Sequence, residues 1–531
     1  MSASGRLLHT VTLARASVVL CKRGMVDPLR PRDALRASRA VRRYGAFGGL
    51  ASFTAAQYRH WPALTDDTET LTFVELDQQS NARAQAIPAA AGRPAVVGLL
   101  RRSGVELVLD LAAANKAGAR TVLLNTGFAA PQLADVCLRE GVTTVVADDE
   151  FAPLLRDLGP DVVRLTGTQM ASRAATKSTA IPVVPRRPGG LVLLTSGTTG
   201  IPKGAPRDRL NPLQSAQLLD RIPWPRNSAY VVAAPLFHAT GLATCTVGLA
   251  LGNHVVLHRR FDARETLEAV QKHHARALIL VPTMLSRILD LPPAALNAFD
   301  TSSLSVVFVA GSSLSPELYR RAAAHFGEVL YNLYGSTEVA TAAVATPAEL
   351  RRAPGTVGRP PIGCTIAAYD SRDRRITRAG EVGTIYVSSG LSFGGYTGGG
   401  SKKTVDGLLS SGDTGHFDDD GLWFIDGRED DMVISGGENV YPLEIENLLV
   451  ELPGVREAAV VGVRDDDFGM CLRAFVVPAA GADIDADQIR HAVRSRLARH
   501  KVPRDVLFVD ALPRNETGKV LKRDLARMEQ R

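Results

Sequence analysis

Apolar residues along this chain recur in two alternating rhythms. Residues 71–86 read as a short strand followed by a helix, 95–100 as a continuous apolar run, 105–117 as helical spacing, and 121–124 as another short apolar run. Comparable runs return at 143–147, 230–234, 277–281 and 306–310. Short apolar runs bounded by turn residues and separated by helical spacing predict strands joined by crossover helices. The expected fold is therefore α/β, a largely parallel sheet with helices on both faces. Ligands on such sheets sit beyond the carboxyl ends of the strands. Residues 166–190 turn to Ser, Thr, Pro, Arg and Gly and predict an exposed connection. A boundary falls near Gly427. From Tyr441 a smaller α+β unit begins, with a helix over 442–452, strands near 458–463 and 474–477, a helix over 487–500 and a strand at 505–509. The predicted division is a basic leader over 1–45, a large domain over 46–426, a junction at 427–431 and a small domain over 432–531.

A chain of 531 residues exceeds what one hydrophobic core usually organises. With 45% hydrophobic and 22% charged residues it reads as a globular protein, and no apolar run approaches the length of a membrane span. The formal charge of +7 is not spread evenly. Residues 1–43 hold ten Lys/Arg against two Asp/Glu, or +8, which leaves −1 for the remainder. Beyond the leader, then, nothing in the charge balance calls for nucleic acid. The leader has no acidic residue before Asp27 and carries Leu7, Val11, Leu13, Val18 and Leu20. It reads as a loose basic tail, as an overlong start with Met25 the true beginning, as a targeting segment, or as a segment that lies on an anionic membrane surface. No secretory core or cleavage pattern is present. The five cysteines, Cys21, Cys137, Cys245, Cys364 and Cys471, show no paired spacing, so neither a disulfide framework nor a zinc site is expected and a reducing cytoplasm fits. Lysine supplies only ten of the 62 basic residues, which makes each one stand out.

The strongest local pattern is an apolar strand, Leu191-Val192-Leu193-Leu194, running into Thr195-Ser196-Gly197-Thr198-Thr199-Gly200-Ile201-Pro202-Lys203-Gly204. Glycines and hydroxyls directly after a strand let backbone N–H groups and side chains surround phosphate oxygens, with Lys203 adding positive charge. The spacing is not that of the kinase and GTPase loop. Residues 395–402 miss that pattern too, with Ser401 where lysine is required, and read as a flexible turn.

Four further segments follow in order: Tyr334-Gly335-Ser336-Thr337-Glu338; Ser411-Gly412-Asp413-Thr414-Gly415; Gly427-Arg428-Glu429-Asp430-Asp431 with Gly436-Gly437-Glu438-Asn439-Val440-Tyr441-Pro442; and Pro513-Arg514-Asn515-Glu516-Thr517-Gly518-Lys519. Together with the glycine-hydroxyl loop, these resemble the ordered motifs of the adenylate-forming, AMP-binding superfamily of acyl-CoA synthetases, firefly luciferases and peptide-synthetase adenylation domains. The resemblance spans roughly residues 65–525.

It implies an acyl-CoA synthetase/luciferase-like fold, with the small C-terminal domain mobile. It also implies an ATP-dependent ligase that activates a carboxylic acid, a medium- or long-chain fatty acid, as acyl-AMP with release of pyrophosphate, then passes it to coenzyme A. Within that resemblance Glu338 is the magnesium ligand and Thr337 donates to the α-phosphate. Residues 195–200, Lys203, Gly311, Tyr334 and Gly335 contact the nucleotide, with Tyr334 offering an aromatic face to adenine. Asp413 accepts the ribose hydroxyls and Arg428 reaches the same sugar. Lys519 bridges carboxylate and phosphate during adenylation, Asp430 is the pivot, Gly437 borders the pantetheine arm, and His238, in Pro235-Leu236-Phe237-His238, gates the thiol tunnel. A cation held by a carboxylate suits this chemistry, because one anion must attack another.

Phe237, Val309, Ala310, Gly311 and residues 339–343 are the expected acyl walls, of low polarity. His238 is followed by Ala239-Thr240-Gly241, which leaves no partner for a substrate ammonium group and favours fatty or aryl acids. Two other readings keep part of this picture. One is a ligase that loads the acyl group onto a carrier protein; the other is a catalytically silent nucleotide sensor, whose mark would be damage at Glu338, Lys519 or the phosphate loop.

Overall fold

The computed structural model describes residues 3–88, 95–195, 202–207, 212–390, 392–393, 395–435, 438–465, 469–515 and 518–528. The alternating pattern resolves into two parallel sheets rather than one. The first has eight strands in the order Ala340–Ala345, Leu330–Ser336, Val306–Ala310, Ala277–Leu280, Ala229–Val232, His254–Leu257, Pro62–Thr65 and Thr70–Thr72. Its inner pairings are parallel and each edge strand is antiparallel. The second has six, Val163–Thr166, Thr144–Ala147, Val96–Leu100, Arg120–Leu123, Leu191–Thr195 and Lys203–Pro206. Only its last pairing is antiparallel. Strands such as Val306–Ala310 and Ala277–Leu280 are buried at every position. Cover on both faces explains why their sequences read as unbroken apolar runs instead of alternating ones.

A third, antiparallel sheet was not anticipated. It joins Thr365–Tyr369, Gly383–Ser388, Leu408–Phe417, Thr404–Val405 and Trp423–Arg428. Its strands carry mixed residues with little alternation, so periodicity conceals them. The C-terminal unit follows the expected order: helices Pro442–Val450 and Ala486–Arg496 pack on strands Val455–Asp465, Gly469–Pro478 and Asp505–Phe508.

Two expectations need correction. Within 166–190, Gly167–Ala175 is a helix started by a Thr166–Gln169 capping box; only the following stretch is irregular, with Val183 92% exposed. The leader is not a loose tail over its described part. Helices span Ala3–Lys22 and Pro31–Tyr58, and Ala16 and Leu20 are buried in the main core. Arg23 donates from Nε to the Leu219 carbonyl at 2.9 Å and from its terminal nitrogen to that of Asp220 at 2.9 Å, closing the end of helix Pro212–Asp220. The expected boundary at residue 45 therefore falls inside a helix, at a kink on Gly45.

The two parallel sheets meet through a buried ionic cluster. Arg101, after strand Val96–Leu100, lies 2.5 Å from Asp110 and 2.9 Å from Asp148; Arg83 reaches the same Asp110 at 2.8 Å. Arg259, which follows strand His254–Leu257 of the other sheet, reaches Asp148 at 3.1 Å. Alongside, the Leu236 N–H donates to Ser103 Oγ at 3.0 Å, tying the loop before His238 to the neighbouring sheet. Breaking such a cluster leaves uncompensated buried charge. Arg101→Met is expected to lower unfolding free energy by about 3–5 kcal/mol in denaturant titration; a loss under ~1 kcal/mol would show that the cluster is not a structural tie.

Candidate functional site

Strand order reverses between Ala229–Val232 and Ala277–Leu280, because the next strand along the chain, His254–Leu257, adds on the opposite side. A crevice opens beyond strand ends at such a point. His238 stands just beyond the first of these strands, Thr283 beyond the second, and Gly311 at the end of the adjacent Val306–Ala310. Of the phosphate loop, Thr195 pairs in register with Lys203 and so fixes the two ends. Ser196, Gly197, Thr198, Thr199 and Gly200 lie outside the described residues, as does Gly437.

Lys203 is exposed, and its ammonium rides 5.1 Å above the centre of the Tyr396 ring. The Tyr396 phenol donates to Glu338 Oε1 at 2.9 Å, and Ser336 Oγ donates to Oε2 at 2.9 Å. Arg207 donates to the Thr337 carbonyl. Burial pushes the Arg207 guanidinium down to about 10, against the opposing pull of the Glu338 carboxylate. Two backbone bonds anchor the Tyr396 loop on both sides: Phe393 N–H to the Glu338 carbonyl at 2.8 Å and Thr397 N–H to the Gly204 carbonyl at 3.0 Å. Lys203, Thr337 and Glu338 are thus brought together, with Arg207 and Tyr396 as partners the sequence reading missed.

A second cluster forms on the antiparallel sheet. Asp413 and Arg428 are opposed in register, their side chains 3.4 Å apart. The Tyr334 phenol donates to Asp413 Oδ2 at 2.6 Å, so this tyrosine orients a carboxylate besides offering a ring. Gly335 follows it in the same strand, paired with Thr341. Burial raises the Asp413 carboxyl above its ordinary value, although Arg428, the Tyr334 hydroxyl, Lys402 and Lys519 all act to lower it. Lys402, read from sequence as part of a flexible turn, donates to the Ser411 carbonyl at 2.7 Å; the scarcity of lysine was the one signal that could have found it. Arg428 also donates to Asp430 Oδ1 at 3.1 Å.

Lys519 is exposed on a loop closed by its own N–H to Asn515 Oδ1 at 2.9 Å, and its charge reaches Asp413. The neighbouring Gly518 has φ +75°, and a Cβ there would fall 2.1 Å from Thr283 Oγ1. Only glycine both adopts that backbone and lets the loop sit against the strand end. The terminal segment is therefore seated over the crevice.

His238 begins helix Ala239–Ala250 without capping it, and its ring lies 4.4 Å from that of Phe237. Its Nε2 is buried without a hydrogen-bond partner among the described residues. Burial pushes the imidazole down to about 4. Among the expected acyl walls, Phe237, Val309 and Ala310 are buried near the crevice. Val339, Ala342 and Ala343 are not walls of that pocket alone: they pack into the core of the antiparallel sheet with Ile366, Ile385 and Trp423. Alternation along a strand hides which face a small residue takes.

Comparison with known proteins agrees with this geometry. A family model described as AMP-binding enzyme matches residues 52–397, and one for the AMP-binding enzyme C-terminal domain matches residues 444–519. An indoleacetate–CoA ligase of Aromatoleum aromaticum is 36% identical over 64% of this chain and 67% of its own. A fatty acid–[acyl-carrier-protein] ligase, ScoC, of Streptomyces coeruleorubidus is 31% identical over 89% of this chain and 94% of its own. The ATP-bound crystal structure of MatB from Rhodopseudomonas palustris superposes with a TM-score of 0.79 at 28% identity, covering 90% of this chain and 98% of that one.

The buried histidines set a pH dependence. His238 and His254 both stand at about 4 through burial, against an ordinary 6.5. As pH falls below 6.5 the unfolded chain takes up protons at these two positions that the folded chain refuses until about 4. Their effect is therefore to leave stability highest above the unfolded value and to lower it on acidification. The melting temperature is expected to fall from pH 7 to 4.5, and His238→Phe to fall less steeply; parallel profiles in calorimetry would count against a buried neutral imidazole.

Proposed function

Because the chain belongs to the AMP-binding enzyme family, we propose that it activates a carboxylic acid, a medium- or long-chain fatty acid, as acyl-AMP and transfers the acyl group to coenzyme A. One observation carries this reading: Gly518 lies against Thr283 at a strand end, and the adjoining Lys519 is among the charges that lower Asp413. A cation from the C-terminal unit and a buried carboxylate suited to ribose hydroxyls then share one crevice.

In this reading Asp413 and Arg428 hold the sugar, Tyr334 fixes Asp413 and lines the adenine site, and the phosphate loop from Thr195 to Lys203 surrounds the phosphates. Glu338 would hold magnesium. Its carboxylate is buried and held by two hydroxyl donors, and among the described residues no cluster of three acidic, His or Cys side chains offers a complete cage. That suits a small hard cation which takes one carboxylate and completes its shell with phosphate and water. When bound, magnesium supplies charge neutralisation at the phosphates. Thr337 serves the α-phosphate, and Lys519 steadies the charge spread across carboxylate and phosphate as they meet.

Transfer to the thiol requires the small domain, residues 432–531, to turn about Asp430 and bring Gly437 to the pantetheine arm. A few backbone dihedrals at such a junction can absorb a rigid-body rotation. His238, neutral and unpaired beside Phe237, gates the thiol's approach. The apolar Phe237, Val309 and Ala310 support an alkyl or aryl acid, and the cytoplasm is the proposed location. Similarity to the Streptomyces ligase over 89% of the chain favours a second reading, in which a carrier-protein phosphopantetheine replaces coenzyme A.

The test is exchange of labelled pyrophosphate into ATP across a panel of acids of increasing length, followed by mass analysis with coenzyme A or carrier protein as acceptor. No exchange with any acid sinks the proposal. Lys519→Ala is expected to slow acyl-adenylate formation by about 100-fold while sparing thioester formation from supplied acyl-adenylate. Equal loss in both steps would contradict the role given to this lysine.

A further inference from the structure

The helix Pro31–Tyr58 is divided by its kink at Gly45, and its two halves face different surroundings. Beyond the kink Gly48, Gly49, Ala51, Thr54 and Ala55 are buried, and the helix packs on helices Phe73–Ala86 and Val105–Lys116. Before it, no residue from 31 to 43 is buried. Arg32, Arg36, Arg39 and Arg43 are all exposed there, at spacings of four, three and four. Those intervals place all four on one helical stripe.

Arg36 makes one exposed pair with Asp33 at 3.2 Å, which is worth little in water. Among the described residues Arg32, Arg39 and Arg43 have no carboxylate partner. Exposed leucines accompany the stripe: Leu35 is 51% and Leu29 89% accessible. Residues 27–43 carry six arginines against two aspartates, a net +4, whereas everything after Arg43 sums to −1. The half-helix is anchored where it meets the kink. Gly45 has φ +76°, a Cβ there would lie 2.6 Å from the Gly189 carbonyl, and the Phe47 N–H donates to Asn115 Oδ1 at 3.2 Å.

We propose that this arginine face is a docking surface for an anionic lipid bilayer. A chain whose excess positive charge lies in one segment, with the remainder near neutral, presents that segment to a negative surface. Arginine stems can lie along the interface while their guanidinium groups meet lipid phosphates, and the neighbouring leucines enter the headgroup boundary. Nucleic acid would use the charge but not the exposed leucines. The matched family segment begins at residue 52, so this half-helix lies outside it. The surface goes beyond the proposed reaction and is read without turnover, so either can fail alone.

The test is co-sedimentation of the full chain, without ATP or acid, with vesicles of phosphatidylcholine alone or mixed equally with phosphatidylglycerol. Binding is expected to favour the anionic vesicles at least about tenfold and to vanish near ~0.5 M salt, where screening is strong. Each arginine removed is expected to cost roughly fivefold, so the combined change Arg32→Gln, Arg39→Gln and Arg43→Gln lowers partitioning by about 100-fold. Its melting temperature is expected to match the parent's. Should that variant melt early, the pair Arg39→Gln and Arg43→Gln is read instead, with about 25-fold expected. Equal binding to both vesicle types, undiminished binding by the folded variant, or arginine-dependent binding to RNA with none to anionic vesicles would each overturn the proposal.

Discussion

The guanidinium of Arg428 reaches two carboxylates at once, Asp413 at 3.4 Å and Asp430 at 3.1 Å. Asp413 is buried within the antiparallel sheet, while Asp430 is exposed on the short turn Glu429–Asp431 that leads to the C-terminal unit. Burying a carboxylate costs free energy, which is why Asp413 is raised despite its neighbours. Arg428 and the Tyr334 phenol offset part of that cost. The same cation that makes the buried acid tolerable also ties it to the junction. Through Arg428 the buried Asp413 is thus linked to the exposed turn Glu429–Asp431.

A comparable economy governs the other side of the crevice. The Tyr396 loop is stitched to Gly204 on one strand and to Glu338 in the turn between two others. Its side chain then carries the Lys203 ammonium on its ring face and a carboxylate on its hydroxyl. An aromatic face attracts a cation through its quadrupole, and the hydroxyl satisfies Oε1 of a buried acid whose Oε2 accepts from Ser336. Opposite charges are thereby held near each other without collapsing into a salt bridge that a nucleotide would have to break. The Arg101 cluster and the Ser103–Leu236 bond, between the parallel sheets, keep the loop before His238 at a fixed distance from this assembly.

Much of this was legible in the chain itself. The buried strands announced themselves as apolar runs because both their faces are covered. The ordered motifs singled out Asp413, Arg428, Glu338 and Lys519 through their resemblance to a known family, and the structure sets Asp413 opposite Arg428. The helices and strands of the C-terminal unit followed from local periodicity, and the structure adds the Asp485–Gln488 capping box. The antiparallel sheet, the docking of the leader's helices and the split into two parallel sheets were not legible, since each rests on pairing or packing between segments far apart.

The residues that escaped notice share one trait. Tyr396, Lys402 and Arg207 lie outside any compact motif and acquire meaning only from partners 58, 9 and 130 positions away. What the sequence by itself determined is local: which stretches bury both faces, which turn can accept phosphate, and which glycine can take a left-handed backbone. Tertiary structure alone decided that Gly518 meets Thr283, that the charge of Lys519 acts on Asp413, and that Tyr396 stands between Lys203 and Glu338. Charge and hydrogen-bond interactions depend on distance in space, and separation along the chain carries no measure of it.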